Sequence, residues 1–167
     1  MKDKIKRLKN NEYALRKAYS RLENSLENRN EKDIYSSIGE LLLWVLTTDE
    51  WHIEHNDDKY KNRRNNDING QVLSGLRYAY NLMKHNMDFY TIHREEGGMS
   101  FPISFPLDIP EITINWKTLN KDMESGYESQ IRNYKKCIQG KTILETFDKA
   151  IKFLDEENRR IKKQHDK

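Results

Sequence analysis

Arg77, Asn81 and His85 follow one another at four-residue steps. On a helix that spacing places them on one side, where an arginine, an amide and an imidazole can converge on a small anion or a phosphate. Ser74, Lys84 and Asp88 fall in the same sector at about 100° of rotation per residue. Val72, Leu76, Ala79, Met83 and Met87 line the opposite side. Such a trio suits cleavage of a phosphodiester by its own 2′-hydroxyl. His85 would move a proton near neutral pH, Arg77 would stabilise charge building on the phosphoryl oxygens, and Asn81 would orient the group. That chemistry needs no metal and no cofactor. The alternative is a solvated polar helix face with no ligand at all.

Several residues could support such a site. Arg63 and Arg64 stand among asparagines just ahead of this helix and could contact a nucleic-acid backbone. Tyr60, Tyr78 and Tyr80 could stack on bases. Arg63, Arg64, Tyr80 and Lys84 are therefore the expected substrate contacts beside the Arg77, Asn81, His85 trio. Soluble arginines and core-facing tyrosines are the competing reading. His52 and His55 share a helix face and flank Glu54, but their spacing matches no metallohydrolase pattern, so no metal site is assigned. The sequence lacks a glycine-rich phosphate loop, a Gly-x-Ser-x-Gly elbow and a cysteine nucleophile arrangement.

The stretch Gly75-Leu-Arg-Tyr-Ala-Tyr-Asn-Leu-Met-Lys-His85 resembles the signature helix of the HEPN superfamily, in which an Arg-Asn dipeptide, three residues and a His lie on a bundle helix. Asn81 and His85 match the Asn-x-x-x-His portion. Tyr80 occupies the position of the dipeptide's arginine, and Arg77, one turn earlier, is the nearest cation. The resemblance implies a helical homodimer in which Arg and His from two subunits form a metal-independent endoribonuclease site, in toxin–antitoxin or antiphage systems. RNA and an antitoxin-like protein are the implied partners. The Tyr80 position keeps a second expectation open: a non-catalytic interaction protein of the same fold, acting as a homodimer through its polar third helix.

These residues require a helical frame. Ile5, Leu8, Leu15, Tyr19, Leu22 and Leu26 give a narrow apolar stripe and predict a first helix. Asn30, followed by Glu31 and Asp33, predicts a capped second helix to about His55, made the central core element by Ile34, Ile38, Leu41, Leu42, Val45 and Leu46. The Asn- and Asp-rich stretch 56–67 reads as a loop. The third helix then runs from near Asn69 or Gly70 to about Phe89.

Pro102, Pro106 and Pro110 forbid helix over 99–110, and Ile112, Ile114 and Trp116 alternate as in a half-buried strand. A Pro-rich β-hairpin insertion over about 99–117 is expected. Tyr127, Ile131, Tyr134 and Ile138 predict a fourth helix ended by Gly140. Thr142 and Glu145 form a capping box for a fifth, carrying Leu144, Phe147, Ile151 and Leu154. The charged tail 155–167 is expected to fray.

The expectation is one mainly α domain over 1–167, a bundle of about five helices with a small β insertion. A 167-residue chain supports one core of that size. Charged residues make up 34% of it, yet the net charge is only +3, so binding to nucleic acid needs a local basic patch. A single cysteine, Cys137, leaves no disulfide framework and no zinc cluster and suits a reducing cytoplasm. No apolar run approaches the roughly 20 residues of a membrane span, so no membrane partner is expected.

Overall fold

The computed structural model describes residues 2–94 and 112–165. Six α-helices and a two-stranded antiparallel sheet make up these residues. Helix α1 (Lys2–Glu27) packs along α2 (Glu31–His55), the central element. The break between them falls at Arg29, whose φ of 56° is left-handed, and the Asn30 side chain accepts from the backbone N–H groups of Lys32 and Asp33 to start α2.

The expected loop at 56–67 instead holds a seven-residue helix, α3 (Tyr60–Asn66). Asparagine content favours turns locally, but burial of the Tyr60 ring and carboxylate partners for the two arginines override it. Asp67 ends α3 and caps α4 (Ile68–Lys84), accepting from Asn69 N at 2.7 Å and Gly70 N at 3.2 Å.

Helix α4 also stops earlier than its apolar period predicts. Asn86 adopts φ 55°, its N–H donates to Met83 O at 3.1 Å, and Met87 N donates to Leu82 O at 3.0 Å. That paired closure is a Schellman motif, in which asparagine takes the left-handed position more often filled by glycine. The chain leaves the helix there and buries Phe89 against Trp116 and Tyr35.

Strand β1 (Tyr90–Arg94) pairs with β2 (Ile112–Trp116), with Ile92 opposite Ile114. The hairpin is therefore present, but its first strand precedes the prolines. The Pro-rich segment itself lies outside the described residues. Beyond β2, Trp116 exchanges backbone hydrogen bonds with Gly140 and Lys141, tying the sheet to the turn between the last two helices. Gly140 takes φ 72° after α5 (Glu128–Cys137), as its position predicts. The Thr142 hydroxyl accepts from Glu145 N at the start of α6 (Ile143–His165).

Helix α6 does not fray at residue 155. Glu157, Asn158 and Ile161 are buried, and Ile161 packs with Leu8 and Trp51. The run looks charged throughout because only one side of it enters the core.

Helix α4 packs on α2, α5 and α6, and side-chain bridges join α6 to α1. The long helices thus form a ring in the order α1, α2, α4, α6. The α1–α6 seam lies across the bundle from the α2–α4 seam. No described helix is long and apolar enough to cross a membrane.

Candidate functional site

Helix α4 does present Arg77, Asn81 and His85 on its polar side, but the bundle sends the three side chains to different neighbours. The Arg77 guanidinium turns onto α2, donating through Nη2 to Asp49 Oδ2 at 2.9 Å and through Nη1 to Glu50 Oε1. Burial opposes its charge, but the two carboxylates outweigh that effect and raise its pKa further. The Asn81 amide turns toward α5 and donates to Gln130 Oε1 at 3.3 Å. His85 is the C-cap of α4, with its backbone N–H closing the helix and its imidazole exposed to solvent. No common point is shared by the three groups.

The supporting residues disperse as well. Tyr80 is half-buried with Lys84 Nζ 5.8 Å from its ring centroid. Tyr78 is buried and donates to the backbone of Met123. Asp88 pairs with Lys117 at 3.0 Å. Arg63 and Arg64 face inward rather than toward a ligand.

The polar residues that do assemble form a buried network joining α2, α3, α4 and α6. Asp49, fully buried, accepts from Tyr60 Oη at 2.7 Å, from Arg64 Nη1 at 2.9 and 3.1 Å, and from Arg77. Glu157, also buried, accepts from Arg63 Nε at 2.7 Å and Nη2 at 2.5 Å, and from Asn56 Nδ2 at 3.0 Å. Arg63 reaches Asp57 as well, at 2.8 Å. The hydrogen bonds that Arg63 donates to Glu157 are the main reason its pKa lies above the ordinary arginine value. With Arg160 Nε 3.5 Å from Glu157, four guanidiniums face four carboxylates, so the cluster carries no surplus positive charge to offer a phosphate.

His52 sits inside this network. Its Nε2 contacts Asn158 Oδ1 at 2.8 Å and its Nδ1 contacts Asn56 Nδ2 at 2.9 Å, while its ring stacks on Tyr60 with centroids 5.0 Å apart. An amide oxygen on one side and an amide NH2 on the other select the neutral tautomer with the proton on Nε2. Burial holds its pKa below the ordinary value of 6.5, although Asn158, Glu157 and Asp49 act in the opposite direction. His55 goes elsewhere, to within 3.5 Å of Lys4 Nζ and 3.7 Å of Glu54, so the two histidines do not form a shared site.

Sequence reasoning missed Asp49 and Glu157 as the anchors of the arginines. A signal for Asp49 was present. Ile38, Leu42, Val45, Asp49 and His52 follow one another at three- and four-residue steps, which puts a carboxylate and an imidazole on the apolar side of α2. A charged group in that position requires buried partners.

No family model matches this chain, and neither a curated protein nor a solved structure gives a significant match.

Proposed function

We propose that this chain is a non-catalytic, HEPN-like helical interaction protein that acts in the cytoplasm as a homodimer. One observation carries the reading: Arg63, Arg64 and Arg77 are all engaged by buried or neighbouring carboxylates, so none of these arginines is free to act with His85 on a phosphate. What the α2–α4 side offers instead is an apolar stripe. Tyr35 and Leu43, 49% and 45% exposed, lie at four-residue steps on either side of Gly39. Met83 of α4 lies over that glycine, its sulfur 3.1 Å from where a Cβ would sit. Two copies meeting across this stripe would cover it in a self-complementary interface.

Sedimentation velocity tests the reading. Wild type should dimerise, and Leu43→Glu, a change at an exposed position, should shift it to monomer. A monomer up to roughly 100 µM, where a dimer would be worth only about 5.5 kcal/mol, refutes it.

The exposed imidazole of His85 beside Lys84 favours a second reading, a metal-independent endoribonuclease of toxin or antiphage type with an antitoxin-like partner. Its test is total RNA incubated with the protein in EDTA. Cleavage by wild type that is lost in His85→Ala would replace the non-catalytic reading with this one.

A further inference from the structure

The arginines expected to meet a phosphate are spent in the interior, yet the chain brings a different set of cations together on the far side of the bundle. Helices α1 and α6 run antiparallel, held by Lys162 on Glu12 at 2.6 Å, Arg16 on Asp155, and Tyr19 Oη on Asp148 at 2.6 Å. These contacts take up Glu12, Asp148 and Asp155, and Glu23, near Tyr19, is an exposed acid they leave at one end of the seam. Outside it, Lys6, Lys9 and Lys17 of α1 and Lys152, Arg159 and Lys163 of α6 are exposed, and none pairs with a carboxylate among the described residues. Arg159 bonds only to the backbone oxygen of Asp155, and Glu156 is the one exposed acid of α6 between Lys152 and Lys163.

One aromatic ring interrupts the α1 cations. Lys6, Lys9, Tyr13 and Lys17 succeed one another at three- and four-residue steps, so they follow a single line along the helix. Tyr13 is 66% exposed, and Lys17 Nζ lies 5.7 Å from its ring centroid. A large ring held in solvent among cations is what stacking on a base requires, while the cations track the backbone.

We infer that this α1–α6 ridge binds single-stranded nucleic acid, its six cations on successive phosphates and Tyr13 under a base. An anionic membrane fits less well, because Tyr13 is the one large apolar side chain exposed along the ridge and interfacial binding requires an apolar face. The ridge lies across the bundle from the Tyr35–Leu43 stripe, so the inference does not depend on the dimer reading. A dimer through that stripe would carry one ridge on each outer side.

Fluorescence anisotropy with a labelled oligouridine of about 20 nucleotides, long enough for a site of this type, tests the assignment. Six phosphate contacts predict a slope of log K against log salt of about −4, and hence roughly a 250-fold loss of affinity between about 50 and 200 mM salt. Lys9→Glu, Lys152→Glu and Arg159→Glu combined should cut affinity by tenfold or more and bring the slope to about −2. Tyr13→Ala should weaken binding by about tenfold and leave the slope unchanged. Lys121→Glu, the same charge change at an exposed site away from the ridge, should have no effect.

No binding at about 50 mM salt overturns the inference, as does binding that the triple variant leaves intact. Equal affinity for a duplex together with a silent Tyr13→Ala overturns the single-strand assignment. Binding to anionic vesicles or to a polyglutamate peptide without binding to oligouridine assigns the ridge to another partner and refutes it. Circular dichroism of each variant confirms that these exposed substitutions leave the fold intact.

Discussion

Asp49→Asn tests the account of the buried network most directly. The substitution keeps the shape of the side chain and removes its charge. Asp49 accepts from Tyr60, Arg64 and Arg77 and is fully buried, so the amide would hold one hydrogen bond from Tyr60 and present an NH2 group toward two guanidiniums. Removing one partner from a buried ion pair costs about 3–5 kcal/mol. That figure is an upper bound here, because Arg64 and Arg77 keep 17% and 26% exposure and Arg77 retains Glu50. Exchanging two charge-assisted hydrogen bonds for neutral or absent ones gives about 3 kcal/mol by a separate route. For a chain of this length that lowers Tm by roughly 6–12 °C. Thermal unfolding followed by circular dichroism measures it. The double variant Asp49→Asn/Arg77→Met should be less damaged than the sum of its single changes by at least about 1 kcal/mol, because removing both partners relieves the unpaired charge. A Tm within about 2 °C of wild type, or strict additivity, would refute the claim that Asp49 is what holds the arginines.

The remaining predictions concern the same frame. His52 has a lowered pKa in the fold, so the folded state binds fewer protons than the unfolded state once pH falls below about 6.5, and stability should drop there by up to about 1.4 kcal/mol per pH unit. Urea midpoints measured across that range check the sign, and rising stability on acidification would contradict it. Gly70→Ala should destabilise by about 1–3 kcal/mol despite alanine's higher helix propensity, because its Cβ would sit 2.4 Å from the backbone oxygen of Arg64; an unchanged urea midpoint would show that α3 yields freely. Deleting residues 157–167 should abolish the cooperative thermal transition, since the deletion removes Glu157, Asn158 and Ile161 from the interior. A truncated chain with wild-type Tm would restore the view of this segment as a tail.

Much of the frame was legible because caps and periodicity are local. Asn30, Gly140 and the Thr142–Glu145 pair each announce a helix boundary through chemistry confined to a few residues, and each stands where the sequence puts it. The failures share one cause. Helix α3 is polar along its length, and the last turns of α6 are mostly charged, so neither has the composition of a core element. Both are nonetheless fixed by a few residues whose partners lie far away in sequence: Tyr60 with Asp49, Arg63 with Glu157, Ile161 with Leu8. Local propensity is a weak prior against tertiary partners of that kind. The early end of α4 belongs to a different class. Met87 continues the apolar period of the helix, but the left-handed Asn86 lets the chain turn and bury Phe89 instead.

The candidate site shows why a shared helix face is weaker grounds for function than it looks. Arg77 and Asn81 are only about 40° apart around α4, close enough to serve one ligand if the face is open. Nothing in their spacing says what lies over that face. In the bundle α2 covers one edge of it and α5 the other, so two neighbouring side chains take partners on different helices. Fixing Arg77 requires a carboxylate on the covering helix, and that carboxylate was visible as Asp49, the one acid continuing α2's apolar stripe. A buried acid needs cations, and two arginines within reach, Arg64 and Arg77, supply them. The same reasoning runs outward at the α1–α6 ridge. Once Glu12 and Asp155 are matched to Lys162 and Arg16, the cations that remain have no internal task, and a mild net charge of +3 conceals them because the paired charges elsewhere cancel. Where a charge is left over after pairing is more informative about partners than how many charges the chain carries.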